Sequence, residues 1–233
     1  MDDFIPSIHE YIRKNQHRLT QPPNATNGPK RYERMEVVPL PEPLPLKLSL
    51  AEALEQRKSR KEFSGTPVSL SALSSLLYYA AHKSGSGRRP YPSGGGLYPI
   101  EIYVISFTVE NCERILLHYE PDTHVLRQLW KLPDDASPSS YVKINGDASP
   151  TAVIVCTAAW DRSAQKYRDF AYVLSLLEAG HLSQNILIVS EALSLATCPL
   201  GALNDDVIIT LLDVDSAMEQ PVSVIVLGNR FLK

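Results

Sequence analysis

Cysteine is scarce in this chain, and the three that occur, Cys112, Cys156 and Cys198, form no C-x-x-C pair and leave an odd count. Neither a disulfide framework nor a zinc site is suggested, so no metal is expected and all three are read as reduced, buried thiols. No apolar run approaches the roughly 18 residues that a membrane span needs. The opening segment MDDFIPSIHEYIRK is polar and acidic rather than an apolar signal core, so no membrane association and a cytoplasmic location are expected. No Lys/Arg stripe runs between aromatics, and the formal charge is -3. Bulk attraction to nucleic acid is therefore excluded. Glycine is also sparse, at 11 in 233 residues, yet three stand side by side at Gly94, Gly95 and Gly96.

Proline is the residue in excess. Residues 1–48 are proline-rich, and Val37 to Leu48 carry a proline at every second position from Pro39 to Pro45. Fixed φ and missing N–H groups exclude helix or a central strand there and predict an extended, polyproline-like arm lying along a surface, its own or a partner's. At Ser49 the pattern changes. Ser49 and Glu52 make a capping box, and Leu50, Ala53 and Leu54 predict the inner face of a helix ending near Lys58. A second helix is predicted from Ser69 to about His82. Strands follow at Glu101–Phe107, Arg114–Glu120 and Val125–Trp130, with the β-branched and aromatic content of an antiparallel meander. The apolar run Thr151–Ala159 predicts a buried central strand, and Arg168 to Leu195 predicts a long core helix. A short helix after Asn204-Asp205 and a strand over Val222–Gly228 complete an α+β layout of a 1–48 arm and a 49–233 domain.

Two segments carry chemistry. Arg57, Lys58, Arg60 and Lys61 surround Ser59, a grouping that suits phosphate through charge-assisted hydrogen bonds, although a helix C-terminus attracts cations in any case. In YPSGGGLYP the glycines let backbone approach a flat or anionic group closely. Because this GGG precedes a strand, it is not the dinucleotide fingerprint, and it lacks the G-K-[ST] of a Walker loop.

Together R-K-S-R-K-E-F, R-P-Y-P-S-G-G-G-L-Y-P-I-E-I-Y, K-Y-R-D-F-A-Y-V-L-S-L-L-E-A-G-H-L-S-Q-N, C-P-L-G-A-L and L-G-N-R resemble, in that order, the nitroreductase-like flavoproteins. Within them the likeness is to SagB-type azoline dehydrogenases, which oxidise thiazoline or oxazoline rings in modified peptides and nonribosomal products. The resemblance covers Leu48 to Arg230 and implies a dimeric fold with a mostly antiparallel central sheet flanked by helices. It implies FMN as cofactor, with Arg57, Lys58, Ser59, Lys61 and Arg230 holding its phosphate and ribityl chain. Pro92, Ser93, Gly94 and Gly95 would form a loop against the isoalloxazine, where a side chain would collide with the flavin or its neighbour. Pro199, Leu200 and Gly201, within Cys198–Ala202, would bring backbone N–H donors to flavin N5 and O4.

The resemblance also assigns the reaction. The azoline-oxidising branch carries a Lys-Tyr pair at Lys166-Tyr167, and an ammonium beside a phenol favours the phenolate, making Tyr167 a general base for the ring C–H proton as hydride goes to the flavin. Molecular oxygen would reoxidise the cofactor. Phe170 and Val173 depart from the arginines that relatives often carry here, which bears on substrate contacts. A plain solvated helix entrance is the bland reading of Lys166-Tyr167, and two other functions stay open: a general NAD(P)H-dependent reductase of nitro compounds or quinones, and a non-catalytic subunit docking a carrier protein or synthetase. His181 reads as a packed helical histidine, Asp205-Asp206 as a helix cap, Gln184 and Asn185 as packing residues, and Tyr98 as flavin-facing or core.

Overall fold

A computed structural model describes residues 4–15, 28–144, 149–201 and 203–231. Its centre is a seven-stranded sheet of β1 (Glu36–Pro39), β2 (Ile100–Ser106), β3 (Ile115–Glu120), β4 (Val125–Lys131), β5 (Ala152–Ala159), β6 (Leu195–Leu200) and β7 (Glu219–Asn229), in the order β1-β4-β3-β2-β5-β7-β6. Every pairing between these strands is antiparallel. The strands in the middle, β2 and β5, are buried throughout, which is why they read as continuous apolar runs.

Alternation along those strands builds two cores. Ile102, Val104, Ile154, Cys156 and Leu227 face one side, under α3 (Leu70–Ala81) and α6 (Phe170–Ala192). Tyr103, Ile105, Val153, Val155 and Val226 face the other, with α7 (Asp205–Leu212) supplying Ile208 and Leu212. The predicted α+β layout is therefore what forms, and all three cysteines are free and buried.

Several expectations are corrected. The 1–48 segment holds a helix, α1 (Phe4–Asn15), and the strand β1, which pairs with β4 at the sheet edge, a place where prolines are tolerated. The proline run then lies on this chain's own core: Ser74 Oγ donates to the Pro41 carbonyl, the Leu44 N–H donates to Ser75 Oγ at 2.8 Å, and Leu40 and Leu46 pack beneath. In α2 (Leu50–Gln56) the Ser49–Glu52 capping box is present, but only Ala53 is buried. Leu50 and Leu54 face outward, at 67% and 50% exposure. The predicted long helix forms as α6, but a further helix before it, α5 (Trp160–Tyr167), was not predicted; the two are separated at Arg168, whose φ of 50° and ψ of -133° fit neither helix. The stretch around Cys198 is the edge strand β6, and α4 (Pro138–Tyr141) is a single further turn. Asp205 and Asp206 occupy the first turn of α7 rather than its cap, which is Asn204. His181 is exposed, not packed. Asn185 does serve packing, its Nδ2 donating to the Pro90 carbonyl at 3.1 Å.

Candidate functional site

The early and late cations converge. The extended segment after α2 runs along the outer edge of β6, where the Arg60 N–H donates to the Thr197 carbonyl at 2.8 Å. The chain end follows β7 to the same place, and Arg230 Nε donates to the Leu195 carbonyl at 3.0 Å. Between the two arginines stands Glu191 in the last turn of α6, only 2% exposed at its side chain. Arg60 donates to both of its oxygens, Oε1 at 2.8 Å, and Arg230 Nη2 lies 3.0 Å from Oε1. One buried carboxylate thus ties together the 57–61 segment, β6 and the chain terminus.

Lys58, Ser59, Arg60, Lys61, Glu62, Arg230 and Phe231 line the resulting cleft of about 530 Å3, within the size range of small-molecule sites. Of the five residues expected to hold a phosphate, four therefore share one cleft. Arg57, at the C-cap of α2, is half-buried and lies outside that lining.

β6 adds direction. Because the Thr197 carbonyl points away from β7, alternation points the amide position of residue 199 away as well. Pro199 offers no N–H there and so leaves no ladder bond unmade. Leu200 is turned toward β7, the exposed Gly201 follows the last strand residue, and Ala202 lies outside the described residues.

The glycine loop is a second assembly. Gly94–Gly96 form a 3-10 turn in which Gly95 has φ 65° and Gly96 φ 68°, both in the left-handed region. A Cβ on Gly94 would lie 3.0 Å from Leu174 Cδ1. A Cβ on Gly95 would lie 2.7 Å from the Tyr167 hydroxyl oxygen and 2.8 Å from Lys166 Nζ. Gly94 and Gly95 thus pack closely against this chain's own side chains at the α5–α6 junction, and the loop lies directly under the Lys-Tyr pair. Lys166 Nζ stands 5.2 Å from the Tyr167 ring centroid, both residues half-buried in the last turn of α5. Phe170 and Val173 follow, half-buried at the start of α6.

Behind the loop lies a charged layer that sequence reasoning missed. Ser93 Oγ accepts from the Tyr98 N–H at 2.8 Å, the Tyr98 hydroxyl accepts from the Arg89 N–H, and Arg89 lies over the Tyr98 ring at 4.8 Å. Tyr98 is thus a brace for the loop. Arg162 of α5 donates to the Tyr98 carbonyl at 2.6 Å and pairs with Glu101, which also meets His118 Nε2 at 2.8 Å. Burial alone would raise the Glu101 carboxyl, but His118 and Arg162 hold it down to about 2. Glu178 is the opposite case. Burial pushes it up to about 7, against the pull of the Ser93 hydroxyl, Arg89 and Arg162. The only sequence signal for this layer was an acidic residue beginning an otherwise apolar strand and another inside an apolar helix.

The two assemblies sit at opposite ends of α6. Leu174 meets the glycine loop and Glu191 the cation cleft, so their separation along the helix is about 25 Å. Among the described residues no group of three or more His, Cys, Asp or Glu could hold a metal ion. The donor set fits a phosphorylated cofactor instead: lysines, arginine and a hydroxyl in one cleft.

Comparison with known proteins identifies the family and the fold. The model of the nitroreductase family matches residues 54–229. The protein MJ1384 of Methanocaldococcus jannaschii, named for that family, is 28% identical over 185 residues, covering 78% of this chain and 92% of its own length. The microcin B17-processing protein McbC of Escherichia coli is 27% identical over 70% of this chain, which spans 62% of McbC's length. Among solved structures, a chain of the E. coli microcin synthetase McbBCD complex with truncated pro-MccB17 bound superposes at TM-score 0.68, with 22% identity, covering 100% of this chain and 95% of that one. A Desulfovibrio desulfuricans family structure in complex with FMN superposes at TM-score 0.52, with 16% identity over 80% of this chain and 92% of that one, a likeness of fold.

Proposed function

We propose that this chain, which belongs to the nitroreductase family, is an FMN-dependent dehydrogenase that converts a thiazoline or oxazoline ring, carried on a peptide or a carrier protein, to the aromatic azole. The observation that carries this reading is the approach of Lys166 Nζ and the Tyr167 hydroxyl to one point above Gly95, which sets a base and its cation over the loop expected to face the flavin. The printed role of McbC, processing of microcin B17, supports the substrate class.

Lys58, Ser59, Lys61 and Arg230 would hold the cofactor's phosphate end, with Arg57 closing from the α2 terminus. The Pro92–Gly95 loop and the Gly201 N–H would bound the ring system. When bound, FMN would supply the hydride acceptor and pass the electrons to molecular oxygen. The protein's own task is then the proton: the Tyr167 oxygen takes it from the ring C–H beside the substrate carbonyl, with the Lys166 ammonium offsetting the charge left behind. Gly95 permits that approach because anything larger would occupy the space of both groups.

A homodimer is part of the proposal. The cleft and the loop of one protomer, about 25 Å apart along α6, are farther apart than one flavin mononucleotide reaches, so a shared cofactor would take its phosphate contacts from one copy and its loop from another. α6 is apolar around its circumference, half of its most apolar window is unburied, and Tyr172, Leu176 and Leu177 are exposed, as are Leu50 and Leu54 of α2. These surfaces supply a face for a second copy.

The deciding experiment mixes FMN-loaded protein anaerobically with a thiazolinyl thioester. Loss of the flavin's visible absorbance together with loss of two hydrogens from the thioester supports the proposal. Bleaching by NAD(P)H alone, unaffected by Lys166→Ala and Tyr167→Ala, would turn the reading to a nitro or quinone reductase. Failure of the protein to take up FMN would overturn both.

A further inference from the structure

Glu178 has no part in the mechanism above, yet its position is unusual. It lies on the inner face of α6 one turn past Leu174, the residue against which Gly94 packs, and it is 2% exposed. A buried carboxylate costs several kcal/mol unless each oxygen finds partners. Its polar neighbours are the Ser93 hydroxyl and the Ile100 amide, and Oε1 has no hydrogen-bond partner. Its charged and titratable surroundings come from three elements: Arg89 and Tyr91 from the segment entering the loop, Arg162 from α5, and from β2 only the Ile100 N–H. Nothing in the two apolar cores requires a carboxylate here.

Ser93 is the link between this group and the loop. Its oxygen accepts from the Tyr98 N–H at 2.8 Å, which closes the five-residue span containing all three glycines. Its proton is therefore available to Glu178, and a hydroxyl that accepts and donates at once is fixed in both position and rotamer. We infer that Glu178 is a positioning residue, which fixes the Pro92–Tyr98 loop through the Ser93 hydroxyl and so sets Gly95 beneath Lys166 and Tyr167. An ionised acceptor holds a hydroxyl more strongly than a neutral one. The loop is consequently tighter when Glu178 is charged than when it carries a proton, and the change falls near neutral pH.

The loop's position stands on the geometry; its importance to catalysis rests on the FMN reading. The test therefore begins without flavin. Hydrogen exchange of amides 94–98 is measured in the apo protein from pH 6 to pH 8.5, corrected for intrinsic rates, for wild type, Glu178→Gln and Ser93→Ala. Wild type is expected to gain about tenfold protection across this range, the size of one charge-assisted hydrogen bond. Glu178→Gln, nearly isosteric and expected to fold, should remain at the low-pH level throughout, as should Ser93→Ala, which leaves the buried carboxylate in place. Equal protection in wild type and Glu178→Gln at pH 8.5 would overturn the inference, as would retention of the pH step in Ser93→Ala. FMN affinity, read from quenching of flavin fluorescence, should weaken several-fold in Glu178→Gln. If exchange responds while FMN affinity does not, Glu178 still positions the loop and it is the assignment of that loop to the flavin that fails.

Discussion

Replacing Gly95 by alanine separates what the glycine does for the backbone from what it does for the chemistry. Two effects act at this position. With φ at 65°, any side chain puts the residue in the left-handed region at a cost of about 1–2 kcal/mol. The new Cβ would also sit 2.7 Å from the Tyr167 hydroxyl oxygen and 2.8 Å from Lys166 Nζ, so both must retreat by up to about 1 Å to reach ordinary contact. Those atoms end flexible, half-exposed side chains, and their retreat adds little to the unfolding free energy. Displacement of a catalytic group by about 1 Å, however, can cost about 100-fold in rate. Gly65→Ala is the control, because Gly65 has φ 76° and nothing within 4 Å of its Cβ position. The two variants should therefore lose similar stability in urea unfolding while differing by about 100-fold in single-turnover azole formation. If they are equally active, the approach of Lys166 and Tyr167 to the loop has no bearing on the reaction. If Gly95→Ala is far less stable than Gly65→Ala, the contact belongs to folding instead.

Tyr167→Phe removes the proposed base and should lower turnover by about 10^2–10^4, with FMN affinity unchanged by fluorescence titration. Glu191→Ala leaves Arg60 and Arg230 facing one another without their shared carboxylate; because both guanidinium groups are partly exposed, the loss should fall toward the low end of about 3–5 kcal/mol, read by urea unfolding. Glu178 predicts a pH dependence of the opposite sense from most carboxylates. Its folded value near 7 exceeds the unfolded value of about 4.3, so between these the folded state holds a proton that the unfolded state has released, and stability falls as pH rises through that window. The full shift corresponds to at most about 4 kcal/mol. Glu178→Gln should flatten this slope and be more stable than wild type at pH 8, even as its loop is looser. Glu101, held down to about 2, acts in the usual direction: its stabilisation is present above the unfolded value and disappears as pH falls below about 4.

What could be read from the sequence followed from periodicity and capping. β2, β3, β4, β5, α3 and the start of α2 are where alternation, apolar runs and the Ser49–Glu52 box put them. The failures have particular causes. In β6 the helical spacing of α6 ran on through Leu193 to Leu195, and the stretch around Cys198 was given no strand; Pro199 fits there because at the sheet edge its missing N–H faces outward. In α5 the fully buried residues are Arg162 and Ser163, so the apolar stripe that announces a helix is absent. In α2 the periodic leucines were assigned to the core but face outward, because a periodic stripe shows that a face is covered without showing by what. The convergence of Lys58, Ser59, Lys61 and Arg230 came from motif resemblance, since residues more than 160 positions apart have no local signal. The pairing in the Glu101–His118–Arg162 layer had none of either kind beyond an acidic residue in an apolar strand: its pairs are 17 and 61 residues apart.

The loop's position also explains how a base on a short, polar helix can be held firmly. α5 buries little of its own, so it cannot orient Lys166 and Tyr167 by packing alone. The loop supplies the missing restraint because Gly94 has no side chain to keep it off Leu174 and Gly95 none to keep it off the pair. It is thereby wedged between α5 and α6, with Tyr98 pinned below by Arg89 and Arg162. Leu182, Ile186 and Val189, farther along α6, are buried against the sheet, so the restraint passes from the core through the helix to the loop. A substituent on Gly94 would push the loop off α6 and loosen the Lys-Tyr pair without touching it, whereas one on Gly95 would displace the pair and leave the loop seated. The two glycines are adjacent in sequence, but they answer to different helices, and for that reason neither can stand in for the other.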